Sequence, residues 1–165
     1  MLHTLLQIDP DSAVEAVTSL DVVLRIGLAA VFGMVVGYER KLSEKPVDGR
    51  TMALIAAGAA GFTLMGVEIA SQASLGHNVQ VDPTRVLAYI ISGIGFLGAG
   101  AILHSKRGIT GLTTASSIWT SAGVGAACGL GLFLIAFTLF GVVFAMLWIP
   151  WLGSFKSDAD ALEDD

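Results

Sequence analysis

Charge is what this chain has least of. Asp, Glu, Lys and Arg make up 14% of its 165 residues, against about 25% in an ordinary soluble domain. The 54% apolar content and mean hydropathy of +0.75 complete that deficit and point to a bilayer. The nine Lys and Arg form no basic patch, which excludes nucleic acid as an expected partner. One cysteine, Cys128, excludes an intramolecular disulfide framework; within an apolar glycine-rich run it reads as a small packing residue. The three histidines, His3, His77 and His104, lack metal-ligand spacing. No nucleophile–base arrangement and no phosphate-binding loop stands out, and the Gly-x-Gly pieces fall inside apolar runs, so an enzyme is not expected. The first residues carry no Lys or Arg, and no long apolar run precedes Asp21, so the first span is expected to be an uncleaved anchor.

What is present is a series of long apolar runs. Asp9-Pro10 and the Ser12-x-x-Glu15 pattern are helix-start signals, read either as a surface helix or as an extension of the first span. Val22–Tyr38 is the first span, about 25 Å long at 1.5 Å per residue. Its Ala29, Gly33 and Gly37 lie four apart and form a smooth stripe for another helix. A polar turn, Glu39–Arg50, leads into the second span, Thr51–Ala70. A hydrophilic loop follows, and Asp82-Pro83 starts the third span, Val86–Leu103. The tight basic turn His104–Gly108 leads to the fourth, Leu112–Gly129, with Thr113, Ser117, Ser121, Gly125 and Gly129 repeating every four residues. Gly129 and Gly131 allow a reversal into the fifth, Leu132–Ile149, where Trp148 and Trp151 fit an interfacial belt.

Lys and Arg placement gives an orientation. Arg40, Lys41, Lys45, Arg50, Lys106, Arg107 and Lys156 share one side of a five-span bundle, and Arg25 and Arg85 the other. The positive-inside rule then puts the N-terminus outside and the C-terminus in the cytoplasm. Arg25 and Glu68 fall at similar depth near the outer face, and the sequence predicts that they pair.

Four groups of residues are candidates for function. Gly93, Gly95, Gly98 and Gly100 share one helical run, where each costs about 1 kcal/mol against alanine. They read as close packing or as a broken helix lining an ion path. Thr113, Thr114, Ser117 and Ser121, with Ser116 and Thr120, read as backbone-bonded hydroxyls or as a polar path. Glu39, Arg40, Asp48 and Arg50 form an edge network: an ion-paired turn, or carboxylates for a hydrated magnesium ion. Arg25, Glu68, Asp82 and Arg85 are outer-side charges; Asp82 and Arg85 read as a cap and a surface charge, or as an entry site.

Three blocks carry a resemblance: Gly33–Thr51 (GMVVGYERKLSEKPVDGRT), Asp82–Gly100 (DPTRVLAYIISGIGFLGAG) and Ile109–Trp119 (ITGLTTASSIW). Over about residues 20–150 the chain resembles the MgtC/SapB family of bacterial inner-membrane proteins. It departs at Val47-Asp48-Gly49-Arg50-Thr51, where the family more often has Ala-Gly-Leu-Arg-Thr. Some members carry a soluble C-terminal regulatory domain; none is expected here, and its roles are not carried over. The resemblance implies magnesium homeostasis or adaptation to low magnesium, through magnesium transport or through a non-transporting regulator that binds another membrane protein such as the F-type ATP synthase. No cofactor is implied beyond magnesium as the transported or sensed ion.

The expected architecture is therefore all-α: a polytopic bundle of about five spans in a bacterial inner membrane, N-terminus outside and C-terminus cytoplasmic. Residues 1–21 form a surface segment, 22–152 the transmembrane domain and 153–165 an acidic tail too polar to fold alone. The lipid bilayer is the first expected partner. The small-residue stripes suggest a homo-oligomer, within which transport is easier to build than in a monomer.

Overall fold

A computed structural model describes residues 19–43, 45, 47–75, 82, 84–105 and 108–163. The expected surface segment 1–18 and the loop residues His77, Asn78 and Gln80 lie outside these. Among the described residues there are five helices: α1 (Ser19–Leu42), α2 (Gly49–Leu75), α3 (Thr84–Gly100), α4 (Leu112–Gly129) and α5 (Phe133–Glu163). The chain is all-helical but for one short hairpin. Helices 19–42 and 49–73 are long and apolar enough to cross a membrane; the apolar parts of α3 and α5, 84–100 and 133–149, are shorter.

The centre of the bundle is α4. Twelve of its residues are buried, although it carries six hydroxyls and is not among the most apolar helices. A helix surrounded by protein can be polar and small, whereas one facing lipid must be apolar and bulky. The periphery shows the second half of that rule: Phe96, Leu134, Leu54 and Tyr89 are each more than 70% exposed. Exposed large apolar residues occur on all five helices, and exposure on this scale suits a bilayer rather than water.

Small residues set how closely the central helices approach. A Cβ on Gly33 would overlap the Met52 carbonyl, and one on Gly37 would lie 2.5 Å from the Asp48 carbonyl, so the Ala29–Gly33–Gly37 stripe seats α1 on α2. A Cβ on Gly125 would overlap the Ala56 carbonyl, and one on Gly129 would lie 2.6 Å from that of Ala60, which seats α4 on α2 as well, next to α1. Both stripes are therefore consumed within one chain. Helix α5 docks differently, by rings: Phe32 stacks on Phe140 at 4.4 Å and meets Phe137 edge-on at 5.0 Å.

The α4–α5 reversal falls where the sequence places it. Gly131 has φ +74; its N–H donates to Cys128 O and that of Leu132 to Ala127 O, each at 2.9 Å. That is the paired-bond glycine stop of a helix C-terminus. Cys128 is fully buried, as read.

One expectation is corrected, and one segment is extended. The basic turn between α3 and α4 is an antiparallel hairpin, β1 (Leu103–Ser105) with β2 (Gly108–Thr110), register Leu103↔Thr110. Leu, Ile and Thr flank a glycine at φ +125 there, a pattern that pairs as strands. The acidic stretch expected to be too polar to fold alone continues α5 to Glu163. Propagating an existing helix costs far less than nucleating one, and Ala159, Ala161, Leu162 and Glu163 are good helix formers.

Candidate functional site

Glu39 and Arg40 sit in the last turns of α1 and are buried, 2% and 4% exposed. The Arg40 Nε donates to Glu39 Oε2, and Ser43 Oγ donates to Glu39 Oε1 at 2.8 Å. Both carboxylate oxygens are thus engaged from within the same helix end. The other half of the expected network is separate. Asp48 and Arg50 are exposed, and Asp48 starts α2: its Oδ1 accepts the Thr51 N–H and the Thr51 hydroxyl, each at 2.9 Å. Those two bonds, the backbone one first, hold the Asp48 carboxyl below the usual carboxylate range, with Arg50 adding to the effect. The four residues are an ion pair plus a helix cap. Among the described residues no group of three or more His, Cys, Asp or Glu is placed to hold a metal ion.

The outer-side charges are also separated. Arg25 does not pair with Glu68. Its Nη1 donates to Gly129 O at 3.1 Å, and the guanidinium lies against Gly131. It therefore caps the C-terminus of α4, where carbonyls without helical partners favour a cation. Glu68 instead accepts from Gln72 Nε2 at 2.8 Å, one turn along α2. The α1–α2 register that sets Gly37 on Asp48 and Gly33 on Met52 brings Arg25 to the level of Ala60, about two turns short of Glu68. Asp82 caps α3 as expected: the Thr84 hydroxyl donates to Oδ1 at 2.6 Å and the Thr84 N–H at 2.9 Å. These bonds, the hydroxyl's first, lower its pKa. Arg85 is exposed beside it.

On α4, Thr114, Ser117 and Ser121 are buried, whereas Thr113 is exposed at the helix start. Ser117 Oγ donates to Thr114 O at 2.8 Å, Ser116 Oγ to Leu112 O at 3.0 Å and Thr120 Oγ1 to Ser116 O at 2.9 Å. Ser121 Oγ reaches across to Met52 Sδ at 3.7 Å. Most of these hydroxyls are turned back on their own helix, which matches the structural reading rather than a polar path.

Helix α3 runs unbroken through Gly93, Gly95 and Gly98, so the broken-helix reading fails. Of the four glycines only Gly98 is packed, where a Cβ would lie 3.5 Å from Ala115 O; a Cβ on Gly93, Gly95 or Gly100 would meet nothing within 4 Å. Among the described residues, the larger openings lie beside this helix. A groove of about 710 Å³ separates α2 from α3, and a second of about 500 Å³, sharing Leu54, Ile55 and Leu97, continues it toward Thr51 and Ala101. The α2 wall is Leu54, Gly58, Phe62, Met65 and Ile69. That helical spacing is visible in the sequence, but it reads there simply as an apolar face. Gly111 was likewise missed. It stands at φ +89 with its Cβ position overlapping the Ala101 carbonyl, so only glycine joins the hairpin to α4.

A family model described as the MgtC family matches residues 26–151. Protein SapB of Bacillus subtilis (strain 168) is 38% identical over 134 residues, covering 80% of this chain and 58% of that protein. Protein MgtC of Salmonella typhimurium (strain LT2) is 40% identical over 111 residues, 67% of this chain and 44% of the relative. The putative magnesium transporter YhiD of Escherichia coli (strain K12) is 37% identical over 126 residues, 76% and 57%. The chain spans about half the length of these curated relatives. No solved structure matches it.

Proposed function

The chain belongs to the MgtC family, and from that membership we propose that it is a multi-pass protein of a bacterial inner membrane serving magnesium homeostasis by engaging a membrane partner. In this reading all five helices cross the bilayer, the N-terminus lies outside, and the cationic α1–α2 and α3–α4 turns face the cytoplasm. The central α1–α2–α4 unit is a rigid scaffold and α3 is the face presented to the partner, such as the F-type ATP synthase. One observation carries this choice over transport by a monomer: the buried α4 hydroxyls of Ser117 and Ser121 bond a carbonyl of their own helix and the thioether of Met52, while three α3 glycines stand open.

Growth at limiting magnesium tests the reading. In a host lacking its own copy, this chain should restore growth. Gly95→Leu and Gly100→Leu, which add side chains into open space, should remove rescue while leaving the purified protein's melting unchanged. Full rescue by both variants would contradict a partner face on α3.

Transport is the second reading, favoured by the name of the Escherichia coli relative, a putative magnesium transporter. It calls for a homo-oligomer whose interface is α3 or α5, because the stripes on α1 and α4 are already filled by α2.

A further inference from the structure

The α2–α3 groove has the shape and rim of a phospholipid site. Resting on the membrane reading above, we propose that it holds one acyl chain of an anionic phospholipid whose phosphate sits at Arg50. The two helices converge at Gly66, where a Cβ would lie 2.7 Å from Val86 Cγ2. Toward the α1–α2 turn they separate, and α4 floors the gap with Ala122 and Ile118. The wedge runs from Gly66 to Thr51, about 22 Å at 1.5 Å per residue. That exceeds one leaflet of a hydrocarbon core about 30 Å thick, so a whole acyl chain fits lengthwise.

The character of the walls selects a chain of methylenes over a helix. Where α1 and α4 dock on α2 they use Gly and Ala stripes at carbonyl contact: Gly33 on Met52, Gly125 on Ala56. The groove walls alternate Phe62, Met65 and Leu97 with Gly58, Ala59 and Gly93, and are held apart by about 710 Å³ rather than at carbonyl contact. Bulky, uneven walls hold a helix axis off, whereas a flexible chain fills between them.

The rim supplies the charge complement. Arg50 lies one turn before Leu54, between the lining residues Val47 and Thr51, and is exposed, as is Lys45. The neighbouring acid, Asp48, has one carboxylate oxygen committed to Thr51. A guanidinium at headgroup depth beside an apolar slot recognises a phosphodiester, and net negative charge on the lipid strengthens that contact.

The test uses the full chain, purified in detergent, delipidated, and titrated with phosphatidylglycerol or phosphatidylcholine of identical acyl chains under native mass spectrometry. The proposal expects one tightly held lipid, with phosphatidylglycerol preferred. Gly93→Leu and Gly58→Leu fill the slot from opposite walls, and neither Cβ meets an atom closer than 4.0 Å. Displacing about two methylenes should lower occupancy about tenfold in each. Gly141→Leu, an equal addition on α5 in open space, should change nothing. Arg50→Gln should lower phosphatidylglycerol binding about fivefold, to the phosphatidylcholine level. Equal binding of both lipids, undiminished binding in the two groove variants, or a dimer in place of a lipid adduct would each overturn the proposal. Resistance of the membrane-bound chain to carbonate extraction is scored separately. A chain that stays in the membrane yet retains no lipid defeats the lipid site alone; a chain released by carbonate defeats the membrane reading beneath it.

Discussion

Gly125→Ala adds one methyl group to α4 at the point where the Cβ position overlaps the Ala56 carbonyl of α2. The obstacle is backbone in the middle of a helix, so it cannot rotate away as a side chain would. The two helices must separate or the methyl must overlap, and overpacking of this kind costs about 1–3 kcal/mol. Against it stands a gain of up to about 1 kcal/mol from replacing glycine in a helix interior. The net expectation is a loss of about 1–2 kcal/mol. Gly93→Ala is the matched control: it lies mid-helix with nothing within 4 Å, so the propensity gain is unopposed and stability should rise slightly or stay level. Reversible unfolding in mixed SDS–detergent micelles, followed by tryptophan fluorescence, gives both values. A Gly125→Ala protein as stable as wild type would refute carbonyl-contact packing between α2 and α4, and with it the reason α4 is so rich in small residues.

Three further outcomes follow from the same geometry. Removing Arg25 as Arg25→Met should cost about 1.5–3 kcal/mol, the range for a hydrogen bond from a charged group; combined with Glu68→Gln, the effects should add within about 0.5 kcal/mol in a double-mutant cycle, because Arg25 bonds Gly129 O and not Glu68. Glu39→Ala should destabilise by about 3–5 kcal/mol in the same unfolding assay, because it leaves the buried Arg40 without its carboxylate. For pH, the Asp48 and Asp82 carboxyls titrate lower folded than unfolded, so their stabilisation is present above the unfolded carboxylate pKa and lost as pH falls through the folded value; Asp48→Asn together with Asp82→Asn should flatten the acid arm of a melting-temperature profile by lowering its neutral plateau toward the acid values.

How much of this was legible in the sequence depends on whether a residue's partner is near in the chain. The spans, the Asp82 cap and the Gly131 reversal are local, and the helices found lie close to those read from hydropathy and capping, apart from the continuation of α5 past Ile149. The Ala29–Gly33–Gly37 and Ser117–Gly129 stripes could be seen as docking faces, but their partner could not: both go to α2, which leaves none for a second copy. The pairing of Arg25 was misjudged for the same reason. The register between two spans is not readable from sequence, and an α4 carbonyl offers no letter to find. Residues 103–110 alternate too briefly for a strand pattern to stand out from a turn. The candidate site was the least legible part, since the openness of Gly93, Gly95 and Gly100 is a property of what fails to pack on α3.

The central claim is that this MgtC-family chain serves magnesium homeostasis without itself conducting the ion. Magnesium entry into liposomes holding only the purified, folded and inserted protein, read with an internal magnesium dye, tests it directly. The account predicts influx no faster than in empty liposomes, with Gly95→Leu indistinguishable from wild type. Saturable influx that Gly95→Leu abolishes would contradict it and make α3 the wall of a transport path.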